Sequence, residues 1–238
     1  MDMHFLQNSP LKNIPVILAL LEFWYTNFWG SSFYNISPYT ERLKLLPNYL
    51  EQLMMESNGK SLDLSGNPIN YSTSSAVIGT TGTNCQHSYF QALHQGSQFF
   101  HCDLVGLLRA PDFEKNKNNY TFLFSSLIAQ ANTFIHGYKN SKQEVVQSFK
   151  EIEGNKPCNL IFIKKWSPAS LGNLLAMFEH KTVVLGALWQ INSFDQWGVE
   201  RGKKNCAKIE SYINNNDGNF STLDPISERD IRLFKELK

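Results

Sequence analysis

The sequence has no large excess of positive or negative charge. Its 22 lysines and arginines nearly balance 21 aspartates and glutamates, for a net charge of +1. Proteins that bind nucleic acid by charge carry basic surfaces, so this balance argues against a nucleic-acid partner. Cysteine is also scarce, and the four present (Cys85, Cys102, Cys158 and Cys206) include no C-x-x-C pair. That scatter favours reduced thiols in a cytosolic protein over a disulfide framework or a structural zinc site.

Long hydrophobic runs are missing as well. The most apolar segment, 14–25, is interrupted by Glu22 and is too short to cross a bilayer. The chain does not open with a basic region followed by a small-residue cleavage site, which a secretory signal would have. We therefore expect a cytoplasmic protein with no membrane partner.

The sequence does have enough apolar residues for a large core, at 42% of 238 positions. Periodicity predicts strands near 33–36, 76–79, 98–108 and 159–163. It predicts helices over 13–29, 40–57, 84–95 and 119–136, one starting at 167–168, and one after 195 that ends near 213. Alternating strands and helices are typical of an α/β fold, here a doubly wound, mostly parallel sheet flanked by helices. In such sheets ligands bind outside the carboxyl ends of the strands.

The first segment whose residues could carry out chemistry is M-E-S-N-G-K at 55–60. Glu56 falls in the last turn of a predicted helix, where the helix dipole disfavours an anion, as suits a general base working near neutral pH. Gln52 lies one turn earlier on the same face. A solvated glutamate at a helix end is the simpler interpretation.

The second segment, at 79–96, runs from a strand through a glycine turn into a helix whose free N–H groups could hold an anion or sugar hydroxyls. His87 and His94 share a helical face, and either could be a catalyst or an ordinary surface or interface histidine. A metal cluster of Cys85, His87, His101 and Cys102 is conceivable, but its spacing matches no known zinc pattern.

The third segment covers 186–203. Gln196, Glu200 and Lys203 have the spacing of one helix face, which is either a ligand-binding face or a salt-bridged surface. Gly198 and Gly202 each cost a helix about 1 kcal/mol relative to alanine, so close packing or a close ligand would explain them.

Taken together, these segments resemble the glucose-6-phosphate isomerase family. Residues 186–203 match its C-terminal signature, F-D-Q-x-G-V-E-x-x-K included, and M-E-S-N-G-K and a G-T-N-x-Q-H helix ending in H-Q-G are also family strings. The resemblance covers the chain to about 213. It implies a sugar-isomerase-type (SIS) domain over 1–213 and a more weakly matched, helical C-terminal tail over 214–238.

The resemblance implies an isomerase that interconverts glucose 6-phosphate and fructose 6-phosphate with no metal or organic cofactor. Glu56 matches the base that moves a proton between C2 and C1 through an enediolate. His94 matches the histidine that helps to open the sugar ring, which reaches its site from the partner subunit of a homodimer. Lys203 matches the lysine near the ring oxygen, and Gln52 and Gln196 match glutamines that contact substrate.

The chain departs from the family in length. The family enzyme is more than twice as long, and its Ser/Thr-rich phosphate loop and enediolate-stabilising arginine have no counterpart here. Met1 aligns with an internal methionine, so we expect a truncated product, one piece of a split enzyme, or a partial version of a longer protein. Because electrostatic groups of that kind are worth about 10² to 10³ in rate each, we expect little or no isomerase activity from this chain alone.

Smaller departures lie within the matched region. Thr80-Thr81 replaces the family's Glu-Pro, Cys85 replaces its glycine and Gln190 replaces its aspartate. Three hypotheses follow. The chain acts with a separate N-terminal partner, or it serves as a catalytically silent sugar-phosphate-binding or dimerisation module. The third hypothesis is a degenerate remnant that is not stably folded, which predicts exposed apolar surface on the faces that would meet the missing half.

Overall fold

The computed structural model describes residues 1–139, 149–214 and 223–236. Within these ranges four strands form one sheet: β1 Phe33–Pro38, β2 Ala76–Gly79, β3 Phe100–Leu107 and β4 Cys158–Ile163. Their order is β2-β1-β3-β4 and every pairing is parallel. The first residue of β1, Phe33, pairs with both Ala76 and Phe100, so the amino ends of three strands lie level. The predicted α/β fold with a parallel sheet is confirmed.

Helices make up most of the remaining described chain. They are α1 Asp2–Gln7, α2 Ile14–Phe28, α3 Leu46–Leu50, a π-helix Glu51–Glu56, α4 Gly82–Gln86, α5 Phe90–Gln95, α6 Lys117–His136, α7 Pro168–Leu188, α8 Trp197–Asn214 and α9 Pro225–Glu236. Short 3₁₀ turns occupy Pro10–Lys12 and Glu41–Leu43. α7 begins as predicted: the Ser167 hydroxyl accepts from the Ser170 N–H, the Ser170 hydroxyl accepts from the Ser167 N–H, and Pro168 fills the first helical position.

The sheet carries a hydrophobic core on each face, because successive strand residues point to opposite sides. Tyr34, Ile36 and Val105 face one core, which α2 and α7 cover through Leu18 and Phe178. The second core holds Phe100, Cys102 and Leu104 under helices α5 and α6. Both faces are therefore covered, as a doubly wound sheet requires.

Two predicted helices are interrupted. The single helix expected over 40–57 is a 3₁₀ turn, α3 and the π-helix in succession. The helix expected over 84–95 is α4 and α5, separated where Tyr89 turns its hydroxyl towards the sheet to donate to Asn35 Oδ1 at 2.9 Å. The contact of Tyr89 with the sheet lies at the second break, and helical periodicity does not register such long-range contacts.

The chain divides into two compact units, Met1–Phe194 and Asp195–Lys238. The first unit holds the sheet and the second holds α8 and α9. The described part does not include residues 140–148, 215–222 and 237–238. The predicted tail begins at 214, so most of its first residues lie in the second of these ranges. The predicted domain limits of 1–213 and 214–238 therefore stay a prediction. Across the described residues, none of the helices has both the length and the apolar character needed to cross a membrane.

Candidate active site

Glu56 is the last residue of the π-helix and is half-buried. The Gln52 side-chain amide donates to Glu56 Oε2 at 3.2 Å, so the structure brings these two predicted site residues together. A π-helix widens the turn by one residue, is rare, and is frequently found at functional sites. This carboxylate therefore lies in a rare backbone conformation, next to an amide that can also contact a ligand.

Lys60 closes the end of the π-helix. Its ammonium donates to the carbonyl oxygens of Glu56 at 2.9 Å and Ser57 at 2.7 Å. The last carbonyls of a helix lack intrahelical partners and carry partial negative charge, so a cation there satisfies and stabilises them. Lys60 thus fixes the backbone on which Glu56 is mounted.

Asn58 joins the segment at 55–60 to the segment at 186–203. Its side chain, 1% exposed, donates to the Thr182 carbonyl in α7 at 3.1 Å and accepts from the Ser193 hydroxyl at 2.6 Å. Gly186 permits this approach, since a Cβ there would lie 2.1 Å from Ser193 Oγ. The M-E-S-N-G-K segment and the start of the C-terminal signature are therefore one connected structure. Sequence reasoning missed Asn58 and Ser193, although both lie inside the motifs.

Ser193, which donates to Asn58, lies before the start of the next helix. α8 begins at Trp197, and the Glu200 N–H donates to the Gln196 carbonyl at 3.0 Å, which makes Gln196 the capping residue. The loop before it is strained at Gln190, which adopts φ +53°. Asp and Asn tolerate this left-handed region better than glutamine, so the aspartate expected at this position in the resembled family suits the backbone better.

His94 lies in the last turn of α5 and is held from several sides. Its ring stacks on Phe134 at 4.4 Å between centroids and meets Phe90 edge-on. Nε2 is 2.7 Å from Gln130 Oε1, while Nδ1 is buried with no hydrogen-bond partner among the described residues. Burial lowers the pKa of His94, the hydrogen bond with Gln130 raises it, and the nearby charge of Lys156 lowers it further. The net direction is down, so the ring is neutral at physiological pH.

The structure separates His94 from Glu56. Met54, two residues before Glu56, packs in the core beneath α2 and α7, whereas Phe90 and Leu93 beside His94 pack in the core on the other face of the sheet. One copy of the chain therefore does not bring these two side chains together.

Both side chains also lie near the amino ends of the strands. α5 ends at Gln95, just before β3 begins at Phe100, and the Val77 N–H at the start of β2 donates to Met55 Sδ at 3.4 Å. Glu56 and His94 therefore lie away from the carboxyl ends of the strands, where ligands bind in sheets of this kind. The cause is that each is carried at the end of a helix that returns the chain to the start of the next strand.

The remaining predicted site residues, Gln196 and Lys203, belong to the second unit. Gln196 caps α8 and Lys203 lies on its exposed surface. Gly198 and Gly202, also in α8, have open space where a Cβ would project, with no atom of the described residues within 4 Å outside their own helix. Packing within the described chain therefore does not explain these glycines.

From the sequence, a metal cluster of Cys85, His87, His101 and Cys102 was conceivable. Among the described residues, no group of three or more His, Cys, Asp or Glu side chains could hold a metal ion. Cys85 is instead fully buried, with its thiol 2.9 Å from the Tyr89 hydroxyl and 3.1 Å from that of Ser37. Cys102 receives a hydrogen bond from the Asn35 amide at 3.1 Å. All four cysteines are free thiols.

Comparison with known proteins decides the family. The phosphoglucose isomerase family model matches residues 1–226. The chain belongs to the phosphoglucose isomerase family. It is 42% identical over 221 residues to glucose-6-phosphate isomerase 1 of Chromohalobacter salexigens, a match that covers 92% of this chain and 39% of that protein. Against glucose-6-phosphate isomerase 1 of Neisseria meningitidis the identity is 40% over 252 residues, covering 98% and 45%.

A solved structure confirms the fold within this family. The crystal structure of a glucose-6-phosphate isomerase from Chlamydia trachomatis superimposes with a TM-score of 0.84 at 34% identity, covering 100% of this chain and 44% of that one. The chain thus has the SIS-type fold and spans less than half the length of the relatives it matches.

Proposed function

We propose that this chain provides the proton-transfer part of a glucose-6-phosphate isomerase. Glu56 acts as the base that moves a proton between C2 and C1 of the open-chain sugar phosphate through an enediolate, and Gln52 and Gln196 contact the substrate. Lys203 lies near the ring oxygen. The observation that carries this proposal is the Gln52–Glu56 pair at 3.2 Å on a π-helix, inside a chain that the family model matches over residues 1–226.

The reaction needs a second copy of the chain. His94 assists ring opening in the site of the partner subunit, and the placement of Glu56 and His94 on opposite faces of the sheet supports this arrangement. A homodimer would then hold two equivalent sites, each built from both copies, as two-fold symmetry dictates.

The reaction also needs groups that this chain does not supply. The matched relatives are more than twice as long, and a second polypeptide carrying the phosphate-binding and arginine functions completes the site. Loss of remote phosphate binding and of charge stabilisation lowers the rate because both act more strongly on the transition state than on the substrate.

A coupled assay of the purified chain with fructose 6-phosphate tests this proposal. We expect little or no turnover from the chain alone, and turnover on adding the N-terminal part of the Chromohalobacter salexigens isomerase. In D₂O the product should then carry solvent deuterium at C2, as an enediolate requires, and Glu56→Gln should abolish both signals. Full turnover by the chain alone would contradict the need for a second polypeptide.

The partial coverage favours one other function, a catalytically silent module that binds sugar phosphate or mediates dimerisation. Calorimetric binding of fructose 6-phosphate with no turnover under any mixing condition would support that alternative. Deuterium incorporation that depends on Glu56 would exclude it.

A further inference from the structure

Helix α6 carries a half-buried glutamine beside its core-facing stripe. Leu127, Ala131 and Phe134 on this stripe are buried in the second core. Gln130, on the same face, is half-buried. Burying an amide costs free energy unless it finds a hydrogen-bond partner. Gln130 finds one in His94, whose Nε2 lies 2.7 Å from Oε1.

That contact selects one form of the imidazole. An amide oxygen only accepts hydrogen bonds, so the proton of a neutral His94 lies on Nε2 and Nδ1 is left as a bare acceptor. The opposite tautomer would place a buried N–H donor at Nδ1, where the described residues offer no partner. The stack on Phe134 prevents the ring from tilting away.

The helix beneath the ring is also anchored. The Lys156 ammonium donates to the Leu93 carbonyl at 2.7 Å, next to His94 in α5. Both the backbone position and the ring plane of His94 are thus set by groups other than Gln130. What remains for Gln130 is to decide which nitrogen carries the proton.

We propose that Gln130 is a positioning residue for His94, holding the imidazole in its neutral, Nε2-protonated form. The relevance of this role to catalysis rests on the proposed function of His94 in ring opening. No proton moves through Gln130, since a carboxamide neither gains nor loses one near neutral pH.

Histidine tautomers are read directly from nitrogen NMR of the full chain labelled with ¹⁵N in histidine, with the His94 signals assigned by their absence in His94→Gln. In the unmodified chain we expect a protonated Nε2 and an unprotonated Nδ1. In Gln130→Leu the ratio of the two tautomers should fall about tenfold, the effect of one hydrogen bond on an equilibrium. The pKa of His94 should fall further, because the hydrogen bond that raises it is gone.

A second variant guards against failure of the first to fold. In Gln130→Glu a carboxylate accepts from Nε2, so the tautomer should be kept and the pKa of His94 should rise by about one unit or more. Gln91→Leu is the matched control, because Gln91 lies on the same helix as His94 and, among the described residues, its side chain bonds to the exposed Gln95 side chain and to no other. Lys156, Glu151 and Glu153, which line a cavity of about 410 Å³ with His94, stay unchanged throughout.

The outcomes separate the two proposals. A tautomer ratio and pKa unchanged in folded Gln130→Leu, or no rise of the pKa in Gln130→Glu, would overturn the role of Gln130. If the NMR changes occur as expected but complemented turnover is insensitive to His94→Gln, the role of Gln130 in holding the ring stands and the assigned role of His94 in the reaction fails.

Discussion

At the scale of single residues, the deepest electrostatic feature is a buried ion pair between helices α2 and α7. The Lys181 ammonium lies 2.6 Å from Glu22 Oε2, and both side chains are 2% exposed. The ammonium also lies over the Tyr34 ring at 4.2 Å, and His101 Nε2 lies 3.9 Å from Glu22. Each charge depends on the other, because neither has water to solvate it.

Removing one partner of this pair should therefore destabilise the chain strongly. We expect Lys181→Met to lower the free energy of unfolding by about 3–5 kcal/mol, the usual effect of leaving a buried charge unpaired. The double variant Glu22→Gln/Lys181→Met should regain most of this loss, because no unpaired charge remains. Urea unfolding of the variants measures both effects. Equal destabilisation of the single and double variants would show that the loss comes from packing and not from an unpaired charge.

The same pair makes stability depend on pH. Burial alone would raise the pKa of Glu22, but the charge of Lys181 and the contacts with His101 lower it from 4.5 to about 2. A carboxyl whose pKa is lower in the folded state stabilises fully above its unfolded value, and this stabilisation is lost as protonation proceeds. We expect the stabilisation by ionised Glu22 to decline as the pH falls from about 4.5 to about 2. In Glu22→Gln/Lys181→Met the free energy of unfolding should depend less steeply on pH in this window. Urea unfolding at several pH values tests this.

At the scale of elements, two helical glycines from family motifs meet opposite surroundings. Gly82, in α4, would place a Cβ 2.3–2.5 Å from the ring of Tyr39, which is 3% exposed. Gly202, in α8, has open space there among the described residues. One glycine is required by packing and the other is not.

The same substitution should therefore have opposite effects at these two positions. We expect Gly82→Ala to lower the free energy of unfolding by about 1–3 kcal/mol through overpacking. Gly202→Ala should raise it by up to about 1 kcal/mol through helix propensity. Thermal unfolding of both variants compares them, and destabilisation by Gly202→Ala would reveal a contact that the described residues do not include. If Gly202 instead makes room for a ligand, Gly202→Ala will stabilise the chain and weaken complemented turnover.

The π-helix is the element that most affects the candidate site. It carries Gln52 and Glu56 together, and Lys60 and Asn58 tie its end to its own carbonyls and to α7. Its position is set by long-range contacts, which is why local periodicity predicts an ordinary helix at this point.

At the scale of the whole molecule, the first unit exposes an apolar surface on the outer side of α2. Trp24, Phe28 and Trp29 are 52%, 65% and 57% exposed. Trp24 and Phe28 stack at 4.9 Å, and Trp29 stacks on Phe99 at 5.6 Å. Exposed aromatic clusters of this kind are typical of surfaces that meet another polypeptide.

This surface should bind a hydrophobic dye while the chain remains folded. We expect Trp24→Gln/Phe28→Gln to reduce dye fluorescence and concentration-dependent association. The free energy of unfolding should change little, since exposed positions contribute within about 0.5 kcal/mol. Dye titration and sedimentation test this, with Lys12→Gln on the exposed 3₁₀ turn as a control. Unchanged dye binding in the double variant would place the apolar surface elsewhere.

The sequence by itself determined the class of fold. Sequence patterning predicted four strands whose centres match the observed ones, because a short apolar run is a local property that burial on two faces imposes directly. The motif strings identified the family and named Glu56, Gln52 and His94, because chemistry requires particular residue types at particular spacings.

Only the tertiary structure decided how these parts are joined. It split the helix at 40–57, placed Glu56 and His94 on opposite faces near the amino ends of the strands, and tied Asn58 to Ser193 across 135 positions of sequence. It also paired Glu22 with Lys181 and Gln130 with His94. Each of these depends on groups far apart in the chain, and their energies arise only once folding removes water and fixes the distance between them.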